Sequence, residues 1–193
     1  MSVLNSETLP LLLHRTRIQS GDTIVDVGCG DGSLVDALLA GGYDAHGIDD
    51  DATETDRVIC GSPAAGLPLD GQSAQLAIVR GCDAFAGATL SEPETFVAMA
   101  NVLAAIAGKG AVAFATGEPE AAIAILSRFG IEAELTSLAP PVGLIGRLLG
   151  RKPAASASLV IGQLPARPLT KLEYHTIARE AAMESMTAMR RAA

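Results

Sequence analysis

The chain has 193 residues, which is typical of one domain and is long enough to bury a sizeable core. Its formal net charge of −8 and its pI near 4.8 argue against a nucleic-acid partner, because phosphate binding needs a basic face. Hydrophobic residues make up 49% of the chain but aromatic residues only 3%, so aliphatic side chains must build the core.

The first fifty residues are predicted to contain a helix, a buried strand, a glycine-rich turn, a second helix and a second strand. The apolar run at 24–27 is typical of a buried parallel strand, and Gly28, Gly30 and Gly32 then allow a tight turn with positive φ. Leucine and valine recur at helical spacing beyond this turn. The predicted bounds are 6–18 and 34–39 for the helices and 24–27 and 43–48 for the strands.

The rest of the chain alternates further strands with helices, which is typical of an α/β domain. Only residues 50–56 separate the second strand from the third, so no full helix is expected between them. The predicted strands are 57–60, 75–80, 111–115, 131–138 and 158–162, and the predicted helices begin at Ser91 or Glu92, at 119 and at 170, the last two ending near 129 and 190.

The glycine-rich turn and the acid after the second strand indicate a nucleotide-type site. Open α/β sheets bind nucleotides at the carboxyl ends of their strands, and Asp49 at such an end can hold two ribose hydroxyls. A dinucleotide fold requires the pattern G-x-G-x-x-G/A, but Ser33 stands at its last position. The segment D-V-G-C-G-D-G at 26–32 instead resembles the class I S-adenosylmethionine (SAM)-dependent methyltransferases.

Further landmarks extend this resemblance from Thr23 to Gln163. The segment L-P-L-D-G at 67–71 is similar to the family's L-P-F-x-D/G, and Gly108-Lys-Gly110 resembles its P-G-G turn into the fifth strand. The resemblance implies an α/β fold, a three-layer α/β/α sandwich with a mostly parallel seven-stranded sheet and an antiparallel last strand. It implies one domain over 1–193, with an N-terminal helical segment (1–20), a Rossmann-like core (21–163), a variable loop (139–157) and a C-terminal helix (168–193).

The resemblance also implies roles for the residues at the strand ends. Methyl transfer from SAM is an in-line displacement at an activated carbon, so the protein mainly supplies proximity and orientation. Asp26 would hold the ammonium group of SAM, directly or through water, and Asp49 would accept hydrogen bonds from both ribose hydroxyls; otherwise these acids cap helices or solvate a turn. The implied cofactor-binding residues are Asp26, Gly28, Cys29, Gly30, Asp49, Asp50, Ser62 and Arg80.

Three departures from the family pattern favour a second hypothesis, a degenerate and non-catalytic protein that keeps the fold for binding or interaction. The helix that the family places after the second strand is missing or reduced to one turn. Ala74-Gln75 stands where family members carry Phe-Asp, and Ser62 stands where the family often has an acid for the adenine amino group. A hydroxyl can accept a hydrogen bond there, but the carboxylate is lost.

No residue stands out as the catalytic acid or base. Asp83 follows the fourth strand and could orient a substrate or act as a base, or it is a solvated loop acid. His14 could act as a base if the N-terminal segment covers the site. Cys29, Cys60 and Cys82 fall near the carboxyl ends of strands, but without a C-x-x-C pair no metal site is predicted.

The predicted acceptor is a small molecule or a lipid-like compound, and not a nucleic acid. The N/D-P-P-Y motif of enzymes that methylate nucleobase or glutamine amino groups is absent. Residues 140–153 mix leucine and isoleucine with Arg147, Arg151 and Lys152. This segment contacts a membrane peripherally, covers an apolar and anionic substrate, or packs on the sheet edge. The last helix carries an apolar stripe that either docks on the core or forms a homodimer interface.

Export and membrane insertion are not predicted. No apolar run approaches the roughly 18 residues of a membrane span, and the first residues lack the basic and apolar segments of a secretory signal. Three cysteines in no framework pattern suit a reducing compartment. The sequence therefore predicts a cytoplasmic protein.

Overall fold

The computed structural model describes Leu4, Phe85 and residues 8–81, 92–138 and 157–192. Within these ranges, seven strands alternate with five helices in the predicted order. The strands are β1 (Thr23–Val27), β2 (Asp44–Asp49), β3 (Val58–Cys60), β4 (Ala74–Arg80), β5 (Ile106–Ala115), β6 (Ala133–Leu138) and β7 (Ala157–Gln163), and the helices are α1 (Leu9–Arg15), α2 (Ser33–Ala40), α3 (Pro93–Ala105), α4 (Pro119–Arg128) and α5 (Lys171–Ala192).

The strands form one sheet in the order β3-β2-β1-β4-β5-β7-β6. Strands β1 to β5 run parallel, whereas β7 is antiparallel to both β5 and β6. The chain moves outward from β1 through β2 and β3 and then returns to β4 on the other side of β1. This reversal opens a crevice at the carboxyl ends of β1 and β4. The predicted seven-stranded, mostly parallel α/β/α sandwich is confirmed.

The sheet is covered on both faces, as a mostly parallel sheet requires. Helices α3, α4 and α5 enclose one core with Val25 and Val27, and α1 and α2 enclose the other with Ile24. Successive residues of β1 therefore point into opposite layers, and these three side chains are fully buried. Small and aliphatic side chains dominate both cores, as the composition predicted.

Strands β2 and β3 are joined without a helix. Residues 50–57 form a turn, extended chain and a bend, and Gly47 N–H donates a hydrogen bond to the Arg57 carbonyl at 2.8 Å. The predicted absence of a helix here is confirmed, so one helix fewer packs beside α2 than the family pattern implies.

The predicted turn at Gly108–Gly110 is wrong, because these residues lie inside β5. Helix α3 passes directly into this strand at Ile106, five residues earlier than expected. The β4–β5 register then jumps from Ala74↔Ile106 to Leu76↔Ala111, which is a bulge, and Lys109 within it has φ 67°.

Two helix bounds also differ from the prediction. Helix α1 covers only 9–15, since Arg17 has a left-handed φ of 60° that ends it. Helix α5 docks through Tyr174 and the alanines up to Ala182, but Met186 and Met189 are 44% and 49% exposed. The predicted stripe is therefore buried only in its first half. Within the described ranges, no helix is long and apolar enough to cross a membrane.

Candidate functional site

The glycine-rich turn folds back over the end of β2. The backbone N–H groups of Gly28 and Cys29 both donate to the Ile48 carbonyl, at 2.8 and 3.3 Å. Gly28 and Gly30 have φ of 82° and 58°, which glycine adopts without the cost that a side chain would add. A Cβ built on Gly30 meets nothing within 4 Å, so open space lies next to this turn.

Asp49 connects the ends of three strands. Its carboxylate accepts the N–H of Gly30, in the turn after β1, and the N–H of Asp51, both at 2.9 Å. Its carbonyl accepts the N–H of Gly61, just after β3, at 3.0 Å. The side chain is only partly buried, and carboxylate oxygens can accept further hydrogen bonds. Asp49 can therefore bind ligand hydroxyls while it holds the turn, and Asp50 lies exposed beside it.

Asp26 and Arg80 form a buried ion pair across β1 and β4. Arg80 donates from Nε and Nη2 to the two Asp26 oxygens at 2.9 and 2.7 Å, and from Nη2 to the Cys29 carbonyl at 3.3 Å. The Asp26 side chain has no exposed surface. Burial raises the pKa of Asp26, and the hydrogen bonds from Arg80 oppose that rise. The two predicted cofactor residues thus bind each other, which leaves any ligand only the remaining lone pairs of Asp26.

Cys29 is a buried thiol within the turn. Burial, and then the charges of Asp26 and Asp49, raise its pKa to about 12. A Cβ on Gly47 would lie 2.8 Å from its Sγ, so the glycine in β2 makes room for this side chain. Cys60 is exposed, and among the residues described no group of three metal-ligating side chains occurs.

The loop after β3 is held by side chains of α3 and α5. Asn101 Nδ2 donates to the Pro63 and Ala64 carbonyls, both at 3.0 Å, and Asn101 Oδ1 lies 3.0 Å from His175 Nε2. Carbonyl oxygens only accept hydrogen bonds, so Asn101 Nδ2 must face them. Oδ1 then accepts a hydrogen bond from His175 Nε2, which assigns a ring hydrogen to that nitrogen. Ser62 begins this loop, and its Oγ accepts the Ala64 N–H at 3.3 Å.

Sequence reasoning missed both Asn101 and His175. The available signal was an asparagine at a core-facing position of an otherwise apolar helix, where it is only 8% exposed. A buried amide needs partners, so such a residue indicates a specific hydrogen-bonded contact.

His14, one of the two weak candidates for a catalytic base, does not join this group. His14 is exposed, and the residue after it, Arg15, lines a cavity at the amino ends of the strands. The structure therefore places His14 at the edge of the sheet opposite Asp49, away from the candidate site. Asp83, Cys82 and the 140–153 segment lie outside the described residues.

Solved structures share this fold, although no known protein-family model and no curated protein matches the sequence. One is a TehB-like SAM-dependent methyltransferase from Corynebacterium glutamicum, with a TM-score of 0.54 and 20% identity over 80% of this chain and 85% of that one. Another is the 16S rRNA (adenine(1408)-N(1))-methyltransferase of Catenulisporales acidiphilia, solved with SAM, with a TM-score of 0.51 and 13% identity over 83% and 94%.

A third similar structure is phosphoethanolamine N-methyltransferase 2 of Haemonchus contortus, solved with phosphomonomethylethanolamine and S-adenosylhomocysteine. Its TM-score is 0.53, with 12% identity over 82% of this chain and 52% of that one. The chain therefore has the class I SAM-dependent methyltransferase fold.

Proposed function

We propose that the protein is a SAM-dependent methyltransferase that acts on a small-molecule or lipid-like acceptor. The observation that carries the proposal is the position of Asp49 at the crevice of a methyltransferase-type sheet. Its carboxylate is tied to the N–H of Gly30 and still has oxygen lone pairs open to a ligand. A side chain that both fixes the turn and accepts hydroxyl donors suits a ribose.

The residues at the strand ends suit SAM as the bound group. Asp49 would accept hydrogen bonds from the ribose hydroxyls, with Asp50 beside it. The backbone at 28–30 would lie along the methionine and ribose parts of SAM. Ser62 would offer its hydroxyl to the adenine. Asp26 would accept a hydrogen bond from the ammonium group of SAM through a lone pair that Arg80 leaves free.

SAM supplies an activated methyl carbon when it is bound, so the chain's own task is to bind and orient. The Asp26–Arg80 pair fixes β1 against β4 directly below the turn, and Asp49 fixes the turn against β2 and β3. A site built on such strand ends holds its ligand in one geometry, which is the main contribution that methyl transfer requires. Asp83 remains a prediction for orienting the acceptor.

The choice of a small-molecule or lipid-like acceptor rests on the acidic composition. The similar structures include enzymes for an rRNA and for phosphomonomethylethanolamine, so the fold alone leaves both classes open. A net charge of −8 disfavours the RNA class. Peripheral membrane contact through 140–153, a homodimer and a cytoplasmic location stay predictions.

A binding protein without catalysis is the second candidate. It is favoured by the ion pair that engages both oxygens of Asp26 and by the connection between β2 and β3 that lacks a helix. Such a protein would bind SAM or a related ligand without transferring a methyl group.

Calorimetric titration with SAM and S-adenosylhomocysteine, with NAD as control, tests the proposal. We expect micromolar binding of both and no binding of NAD, followed by methyl transfer in a screen of amine, hydroxyl and lipid-like acceptors. Binding without transfer to any acceptor would favour the second candidate. Absence of SAM binding would refute the methyltransferase assignment.

The contact between Asn101 and the loop after β3 gives a separate prediction. Asn101→Leu leaves the carbonyls of Pro63 and Ala64 without their donor, so we expect a loss of about 1–3 kcal/mol in the free energy of unfolding. We also expect SAM affinity to fall about tenfold, because the loop would lose its fixed position beside the adenine.

Urea unfolding and calorimetry measure both effects. Thr176→Ala is the matched control, since Thr176 neighbours His175 on α5 and, among the described residues, its hydroxyl donates only to the Leu172 carbonyl of the same helix. The prediction fails if Asn101→Leu lowers stability but leaves SAM affinity at the level of this control.

A further inference from the structure

A second cavity lies at the edge of the sheet opposite the candidate SAM site. It has a volume of about 650 Å³ and lies where α1 leads into β1 and where β4 and β5 begin. Three cations, Arg15, Arg17 and Lys109, line it, against one acid, Asp22. This is an unusual concentration of positive charge for a protein with a net charge of −8.

Two of these cations are not neutralised within the described residues. Arg15 forms an ion pair with Glu134 of β6 at 2.7 Å. Arg17 and Lys109 take part in no ion pair there. Asp22 keeps its negative charge, although its Oδ2 accepts the N–H of Gln19 at 2.8 Å, so Arg17 and Lys109 outnumber it by one charge. The cavity therefore keeps an excess of positive charge.

Both of these cations also occupy backbone positions that favour glycine. Arg17 has φ 60° and Lys109 has φ 67°, and a side chain in this region strains the backbone. Lys109 lies between two glycines that are sterically required: a Cβ on Gly108 would lie 2.3 Å from the Ala166 carbonyl oxygen, and one on Gly110 would lie 2.5 Å from Ile106. Strained residues concentrate at binding sites, where the side chain has a use that offsets the strain.

Neutral donors complete the lining. Gln75 stands where the resemblance leads one to expect an aspartate, and it therefore removes a negative charge from this edge. Its Oε1 accepts the N–H of Thr23 at 2.7 Å, so both hydrogens on Nε2 remain for a ligand. Gln163, from the end of β7, adds a second amide.

We propose that this cavity binds a small anion that carries a diphosphate group. Two cations without an ion-pair partner in the described residues, and two amides, can together attract and hydrogen-bond a multiply charged group. The volume exceeds that of a single inorganic ion and suits a larger organic compound. The site lies at the opposite edge from Asp49, so it does not depend on the SAM assignment.

Titration of the wild-type protein with pyrophosphate and with ADP at low ionic strength tests the proposal. We expect both probes to bind, and pyrophosphate to bind equally well with SAM present in saturating amounts. Arg17→Gly and Lys109→Gly should each weaken pyrophosphate binding at least tenfold. Tighter binding of ADP than of pyrophosphate would identify a nucleotide as the source of the diphosphate.

The same two substitutions provide an internal check on folding. Glycine removes the left-handed strain, so each variant should unfold at the same temperature as the wild type or higher. Lys171→Gln, which removes an exposed cation outside the cavity, should change neither property. The proposal would be overturned if the wild type binds neither probe. It would also be overturned if both glycine variants bind pyrophosphate as tightly as the wild type does.

Discussion

Asp49→Ala is expected to weaken SAM binding at least about 100-fold. Without the carboxylate, the proposed site would lose two hydrogen bonds to the ribose hydroxyls. Hydrogen bonds to a charged group contribute about 1.5–3 kcal/mol each to the binding free energy. The variant would also leave the N–H groups of Gly30 and Asp51 without their acceptor, so the turn would lose its tie to β2. Both effects lower affinity, and calorimetric titration measures their sum.

Two further variants separate these contributions. Asp51→Ala removes the same charge from an exposed neighbour but keeps the backbone N–H that bonds Asp49, so it should bind SAM normally. Asp49→Asn keeps one acceptor oxygen, so its SAM affinity should lie between those of Asp49→Ala and Asp51→Ala. If Asp49→Ala binds SAM as well as the wild type does, the ribose role is wrong; equal losses in Asp49→Ala and Asp51→Ala would indicate a general charge effect.

The glycine turn and Asp49 could be located from sequence because their geometry is local. The apolar run of β1, three alternating glycines and the acid at the end of β2 lie within 27 residues of each other, 23–49. Strand ends of a parallel sheet meet at one edge, so this order along the chain already predicts proximity in space. The hydrogen bond from Gly30 to the Asp49 carboxylate shows that the two segments do meet.

The partners of Asp26 and Asn101 could not be found in the same way. Arg80 is 54 residues from Asp26, and only the placement of β4 beside β1 brings the two together. His175 is 74 residues from Asn101, and it meets that side chain because α5 packs on α3. Neither pair has a local pattern, since each depends on how whole elements dock.

The early start of β5 escaped prediction for a different reason. Gly108-Lys-Gly110 resembles the family's P-G-G turn, so the sequence predicted a break before the strand. The left-handed Lys109 is instead absorbed by a bulge opposite β4, while Ile106 already pairs with Ala74. Local turn signals cannot distinguish a bulge within a strand from a turn that precedes one.

Arg80→Met is expected to lower the free energy of unfolding by about 3–5 kcal/mol at pH 7. It removes both hydrogen bonds to Asp26 and leaves a carboxylate in a fully buried place without a counter-charge. The exposed pair of Arg57 and Asp44 is the matched control, because both of its side chains are 44% exposed. Arg57→Met should cost less than about 1 kcal/mol, since water screens such a pair. Urea unfolding measures both.

The pH dependence of Arg80→Met identifies the buried charge as the cause. Burial already raises the pKa of Asp26 in the wild type, and Arg80 opposes that rise, so its removal should raise the pKa further. A folded-state pKa above the unfolded value means that stability falls as the pH rises through it. The defect should therefore be smaller at pH 5 than at pH 7. Adding Asp26→Asn should recover much of the loss at pH 7 and remove this difference, because no charge would then remain. A defect of equal size at both pH values would mean that lost packing of the arginine side chain, and not the unpaired carboxylate, destabilises the variant.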